Sequence, residues 1–150
     1  MIKIVPDANV IVAGMISPIG AAREIINLSY AKKVILFGSQ ETYNEFNEII
    51  RRKNLQKYIK KQYFTTDKIL SDYRLFINII NPYDILKNLK VVTRDHDDDI
   101  YISVALASNS NILLSRDRHL LDLKKYKSIR MVDPDDFLKS WRRLNNGNLF

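Results

Sequence analysis

Hydrophobic and polar positions fall into two kinds of block along this chain. Residues 2–5, 33–37, 89–92, 111–114 and 129–132 are short apolar runs rich in β-branched side chains, several of them closed by turn residues such as Pro6-Asp7 and Gly38-Ser39. Runs of that length and composition predict buried strands. Between them lie longer stretches with apolar residues at helical spacing. Residues 21–31 carry Ala22, Ile25, Ile26 and Ser29 after a loop at 17–20. Ser39 reads as the N-cap of the next helix, with Thr42 where a capping box favours Glu or Gln, and Tyr43, Phe46, Ile49 and Ile50 form its stripe. Residues 67–80 repeat the helical pattern through Ile69, Leu70, Tyr73, Phe76 and Ile80, until Asn81-Pro82 stops it. Residues 100–108 are too uniformly apolar for a surface helix and predict a central one covered on most sides. A last helix is expected from near Pro134, a residue suited to a first turn, to Leu144. Strands alternating with helices predict an α/β fold, with a short parallel five-stranded sheet between helical layers. The expected organisation is one domain over residues 1–144 and a loose tail at 145–150.

Composition narrows the chemistry. Cysteine is absent, which excludes a disulfide framework, a thiolate metal site and a cysteine nucleophile. No apolar run reaches the roughly 18 residues of a membrane span, and the first residues lack the charged region and cleavage site of a signal peptide. The expectation is a soluble, cytoplasmic protein with no membrane partner. The formal charge is +7. Against that basic background, acids concentrate at Asp95, Asp97, Asp98 and Asp99, and again at Asp133, Asp135 and Asp136. A basic body around local acidic clusters suits a metal-dependent enzyme acting on a polyanion.

The placement of the acids matters more than their number. In open parallel sheets, ligands gather at the carboxyl ends of the strands. Asp7 directly follows the first strand. Ser39 and Glu45 follow the second, and Glu45 sits about 100° from the centre of its helix's apolar stripe, at the stripe's edge. Asp98 enters from the loop after the third, and Asp117 follows the fourth. In the segment RDHDDDIYISVALA at 94–107, a carboxylate can cap the helix or hold a metal. Two unit charges ~4 Å apart repel by about 4 kcal/mol at an effective dielectric near 20. Several carboxylates in one pocket cannot all stay ionised alone: either some are protonated or a divalent ion holds them together. All-oxygen donors in an open, water-retaining site suit Mg²⁺ or Mn²⁺.

The runs VPDANVIVAG, Ser39 to Glu45, DDDIYISVALA and LLSRDRHLL, in this order and spacing, resemble the PIN domain, and most closely the PIN-family toxins of toxin–antitoxin systems, the VapC-like ribonucleases. The resemblance spans about residues 2–138. It implies an acidic quartet that binds Mg²⁺ or Mn²⁺ and cleaves RNA. Position by position, it assigns the first acid to Asp7 with Asn9 beside it, the helix acid to Glu45 in the segment opened by Ser39, the third acid to Asp98 because Ala105 then falls in place, and the fourth to Asp117 with Ser115 as the hydroxyl. Ala8 departs from the small hydroxyl residue usual there, and Arg116 stands where glycine is usual, in reach of a substrate phosphate or simply tolerating the turn. Asp99 can share or replace the work of Asp98, while Asp95 and Asp97 read as loop acids. The resemblance further implies an antitoxin partner and a homodimer, for which exposed apolar residues on the 67–80 helix supply a surface.

Other readings compete. His96 and His119 lack the nucleophile elbow that serine–histidine chemistry needs. The basic stretch 51–61, with Tyr58 and Tyr63, grips an RNA backbone or is a solvated helix face. An inactive PIN-like module that binds RNA or a partner is one rival. A phosphoacceptor or phosphatase is another, weakened because Asn9 stands where a D-x-D start needs its second acid.

Overall fold

The computed structural model describes residues 1–62, 65–89 and 96–146. Strand β1 (Ile2–Pro6) leads into helix α1 (Ala8–Ile16), and α2 (Ala21–Tyr30) then precedes β2 (Val34–Gly38). Helices α3 (Gln40–Ile50), α4 (Lys53–Lys61) and α5 (Thr66–Phe76) lead to β3 (Ile77–Ile79) and the short α6 (Tyr83–Asn88). Helix α7 (His96–Ser108), β4 (Ile112–Leu114), α8 (Arg118–Leu123), β5 (Lys125–Tyr126), β6 (Ile129–Val132) and α9 (Pro134–Asn146) complete the order.

Among the described residues the sheet has six strands, not the expected five, in the order β3-β2-β1-β4-β6-β5. All neighbours are parallel except β5, which pairs antiparallel with β6 at the edge. Successive side chains of a strand face opposite sides, and Ile4 and Val5 are both fully buried, as are Leu113 and Leu114. Both faces of the central strands are therefore covered, as in a three-layer α/β protein.

Three elements differ from the sequence pattern. The expected 67–80 helix ends at Phe76, and Ile77–Ile79 instead pairs with β2 through Leu36, Phe37 and Gly38. Phe76 and Ile80 are four apart by coincidence of period. The β-branched residues around Asn78 fit a pleated edge better than a helix. Of the strand expected at 89–92, Leu89 terminates α6 and residues 90–92 lie outside the described ones. Helix α1 has no counterpart in the apolar pattern. Its sequence ANVIVAGMI is apolar on nearly every face and so carries no amphipathic signal, because Ala8, Val10, Ile11, Val12 and Met15 are all buried. Gly14 lets α2 approach it, since a Cβ there would lie 2.4 Å from Ile26 Cδ1 and 2.9 Å from the Ala22 carbonyl oxygen. Helix α7 is the covered central helix that the apolar run predicts, with Tyr101 to Ala105 buried without interruption. It starts earlier than residue 100, so that Asp98 and Asp99 belong to its first turns.

Candidate active site

The carboxyl ends of β1, β4 and β6 are level: Pro6 pairs with Leu114, and Leu114 with Val132. The ladder runs one step further. The Asp7 N–H donates to the Leu114 carbonyl at 2.9 Å, and the Ser115 N–H to that of Val132 at 3.1 Å. Chain connections leave in opposite directions on either side of β1, which makes the β1/β4 edge the crevice where such sheets bind ligands. Asp7 and Ser115 stand side by side there because the sheet register puts them there.

Asp7 is buried, and each of its carboxylate oxygens accepts a hydrogen bond. One carboxylate oxygen accepts the Val10 N–H at 2.8 Å and caps α1. The other accepts the Ser115 hydroxyl proton. Ser115 Oγ in turn accepts the Asp117 N–H at 2.9 Å, so one buried hydroxyl orients both ends of the S-x-D element. Burial raises the Asp7 carboxyl above its ordinary 3.8; the bonds from Ser115 and the Val10 N–H lower it, and the nearby Asp117 charge raises it again. Asp117 itself is exposed and caps α8 by accepting the His119 N–H at 2.9 Å. Asn9 has an exposed side chain; its backbone N–H favours the ionised Asp7. Arg116 points its guanidinium toward Asp135, 3.8 Å away on α9.

A second linkage reaches the same corner from α3. The Tyr101 hydroxyl accepts the Ala8 N–H at 3.1 Å and donates to a carboxylate oxygen of the half-buried Glu45. Burial, then the Glu45 charge, push the phenol's pKa strongly upward and keep it a donor. Glu41 and Glu48 are exposed, and together with Glu45, Arg52 and Ile100 they line a solvent-open cleft of about 390 Å³. The Ser39 hydroxyl accepts the Thr42 N–H at 3.2 Å, while Thr42 Oγ1 accepts the Ser39 N–H at 2.8 Å. Thr42 thus closes the capping box where Glu or Gln was favoured. The Tyr73 hydroxyl lies 3.4 Å from Thr42 Oγ1, with its pKa pushed up to about 12 chiefly by burial. Ser39 supports the site by fixing the start of the helix that carries Glu45.

Asp98 and Asp99 are both buried, Asp99 the more deeply at 2 % exposed. Asp98 lies three residues before Tyr101 and therefore on the same side of α7; Asp99 lies one turn before Ser103. Asp95 and Tyr63 lie outside the described residues, as do the side chains of His96 and Asp97. Tyr101 had no place in the apolar reading of DDDIYISVALA. Its signal was available: a hydroxyl in an otherwise aliphatic buried run must find a partner.

Could these residues hold a divalent ion? Among the described residues, no three acids or histidines converge closely enough to enclose one. A hard cation that keeps several waters needs only one or two carboxylates from the protein. Asp7, whose charge is penalised by burial and by Asp117, offers oxygens with remaining lone pairs, and the donor set is entirely carboxylate. The residues fit an open, hydrated site and not a closed cage.

A family model described as the PIN domain matches residues 3–119. The chain is 28% identical over 150 residues to an uncharacterized protein, MJ1680, of Methanocaldococcus jannaschii, covering 95% of this chain and 93% of that protein. It is similar in fold to PAE2754 of Pyrobaculum aerophilum, with a TM-score of 0.63 and 18% identity over 93% of this chain and 94% of that one. It is similar also to VapBC2 of Rickettsia felis, solved bound to a DNA fragment from its promoter, with a TM-score of 0.58 and 15% identity over 88% of this chain and 98% of that one. The chain belongs to the PIN-domain family.

Proposed function

We propose that this PIN-domain protein is a metal-dependent endoribonuclease and the toxin of a toxin–antitoxin pair. One observation carries the reading: at the sheet's ligand-binding edge, the Asp117 N–H, the Ser115 hydroxyl and the buried Asp7 carboxylate form one hydrogen-bonded chain. Holding a carboxylate in so poorly solvated a position costs stability, which is the mark of a site kept for chemistry.

Asp7, Asp98 and Asp117 would hold Mg²⁺ or Mn²⁺, not all of them directly but partly through the ion's own waters, since no three acids among the described residues converge closely enough to enclose it. Glu45 would bind it through water or position the attacking water. When bound, the ion would lower the pKa of water and offset the charge that builds on the phosphoryl oxygens. The chain's own part is orientation. Ser115 fixes the rotation of Asp7 by donating to one of its oxygens, and the α1 cap fixes the other. Glu45 would take a proton from the water that attacks phosphorus. The P–O3′ bond breaks, leaving a 3′-hydroxyl and a 5′-phosphate.

RNA as substrate is supported by charge. Between Glu48 and Asp67 there is no acidic residue, while Arg51, Arg52, Lys53, Lys57, Lys60 and Lys61 all fall there. On α4 the lysines share the face opposite buried Ile59, and Arg52 reaches the cleft beside Glu45. A polyanion can therefore run from the basic helix to the acids. A cognate antitoxin would cover this edge, and the exposed Leu75 on α5 supplies apolar surface for a homodimer. Among the described residues no single helix is long and apolar enough to cross a membrane.

The test is cleavage of total RNA with Mg²⁺ or Mn²⁺, with product ends mapped, for the wild type and for Asp7→Asn and Asp98→Asn. Both substitutions should abolish specific cleavage. Full activity in either would refute the assignment, and no cleavage by the wild type would leave a binding module.

A further inference from the structure

The proposed chemistry leaves the Tyr101 phenol without a part, although it sits between two groups that have one. Tyr101 lies on α7, is 3% exposed, and joins segments remote in sequence: Ala8, next to Asp7, and Glu45 on α3. Packing alone does not need the hydroxyl, since phenylalanine would fill the same volume without the cost of burying a polar group. The direction of its bonds is fixed by inventory. The Ala8 N–H is one of the first-turn donors of α1 that lack a helical acceptor, and the Asp7 cap takes the Val10 N–H instead. Ala8 can only donate, so the phenol oxygen accepts there and its single proton goes to Glu45. On its other side Glu45 borders the solvent-open cleft, so the phenol meets this carboxylate from the buried side.

We propose that Tyr101 is a positioning residue: its hydroxyl pins the Glu45 carboxylate against the start of α1, so that this acid is presented beside Asp7 at one angle and depth. The inference rests on the ribonuclease reading above and adds a residue to it that acts through Glu45.

A double-mutant cycle of Tyr101→Phe, Glu45→Gln and the double variant tests it, read in kcat and KM on RNA and, without turnover, in Mn²⁺ affinity by titration calorimetry. Y101F should lower kcat about 10-fold with KM unchanged within about twofold, and add nothing on the E45Q background, because a misplaced group loses rate while binding survives. Mn²⁺ affinity should fall about threefold in Y101F and again show no further loss in the double variant. Glu45→Asp keeps the charge but withdraws it from the phenol, and should match Y101F within about twofold, which tests the link even if Y101F folds poorly. Coupled losses in either readout support the role. Losses that multiply in both, or a Y101F protein equal to wild type in both, overturn it. A wild type that binds Mn²⁺ but cleaves no RNA defeats the ribonuclease reading alone, and the calorimetric cycle then decides Tyr101; a wild type that does neither defeats both.

Discussion

Helices α7 and α4 handle charge in opposite ways. Helix α7 is buried on all sides from Tyr101 to Ala105, yet carries Asp98 and Asp99 into the interior at its start. Helix α4 buries only Ile59 and holds its lysines in solvent. A surface cation is cheap to keep and screened by salt, so its position need hold only within a few ångströms. A buried acid is costly, and it persists only where backbone donors, a neighbouring hydroxyl or a cation compensates it. The first arrangement can gather a polyanion. The second can do chemistry on it.

That contrast is open to direct attack. The largest effect should come from Asp7→Asn, which removes the charge while leaving an oxygen able to cap α1. Activity should fall about a thousandfold, equivalent to about 4 kcal/mol of transition-state stabilisation, while the fold becomes more stable. Because the folded carboxyl lies above its ordinary 3.8, the ionised side chain opposes folding at neutral pH. Melting temperature in D7N should therefore exceed wild type at pH 7 by about 3 °C, for a gain of about 1 kcal/mol in a domain of this size. The advantage should shrink as pH falls through the raised value toward 3.8, measured by calorimetric scans across pH. A D7N protein less stable than wild type at pH 7 would show that the Ser115 and Val10 bonds outweigh burial.

Ser115→Ala is the intermediate case. The hydrogen bond to a charged oxygen is worth about 1.5–3 kcal/mol, so kcat should drop about 10- to 100-fold. Since Asp117 loses its backbone partner as well, the fold should weaken too, in contrast to D7N.

On α4 a larger change of charge should matter less. Lys57→Glu, Lys60→Glu and Lys61→Glu together should raise KM about 10-fold with kcat unchanged, steepen no pH profile, and shift stability by only about 0.5 kcal/mol per site. Wild-type KM should climb with added salt, and the triple variant's should climb less. A large loss of kcat would mean that α4 shapes the site and does not merely attract the substrate.

Much of this architecture was legible from residue pattern alone. Strands at residues 2–5, 33–37, 111–114 and 129–132 were visible because each is a brief apolar run closed by a turn, and α7 was visible as a run too apolar for any surface. Helix α1 was hidden by the same rule, since a helix buried on all sides shows no period. Strand β3 was hidden because its isoleucines continued a helical period by chance, and β5 because two residues make no pattern. The five-stranded sheet became six for that reason. At the site, the sequence singled out Asp7, Glu45, Asp98 and Asp117 as following particular strands, with Arg116 as a phosphate contact or a residue tolerating the turn and Ser39 beside the acids. What the sequence did not show is that the Arg116 guanidinium lies 3.8 Å from Asp135 and that the Ser39 hydroxyl accepts the Thr42 N–H at the start of α3.

What the chain determined by itself is the alternation of elements, the basic character of residues 51–61 and the order in which acids follow strands, because these depend on local composition and spacing. Which acids share a hydrogen-bonded corner was decided only by tertiary structure. Asp7 and Ser115 are 108 residues apart and meet through the register of β1 on β4; Tyr101 reaches Ala8 across 93. No local pattern encodes such a meeting, since it depends on how the sheet register and the packing of α7 bring distant backbones to the same edge.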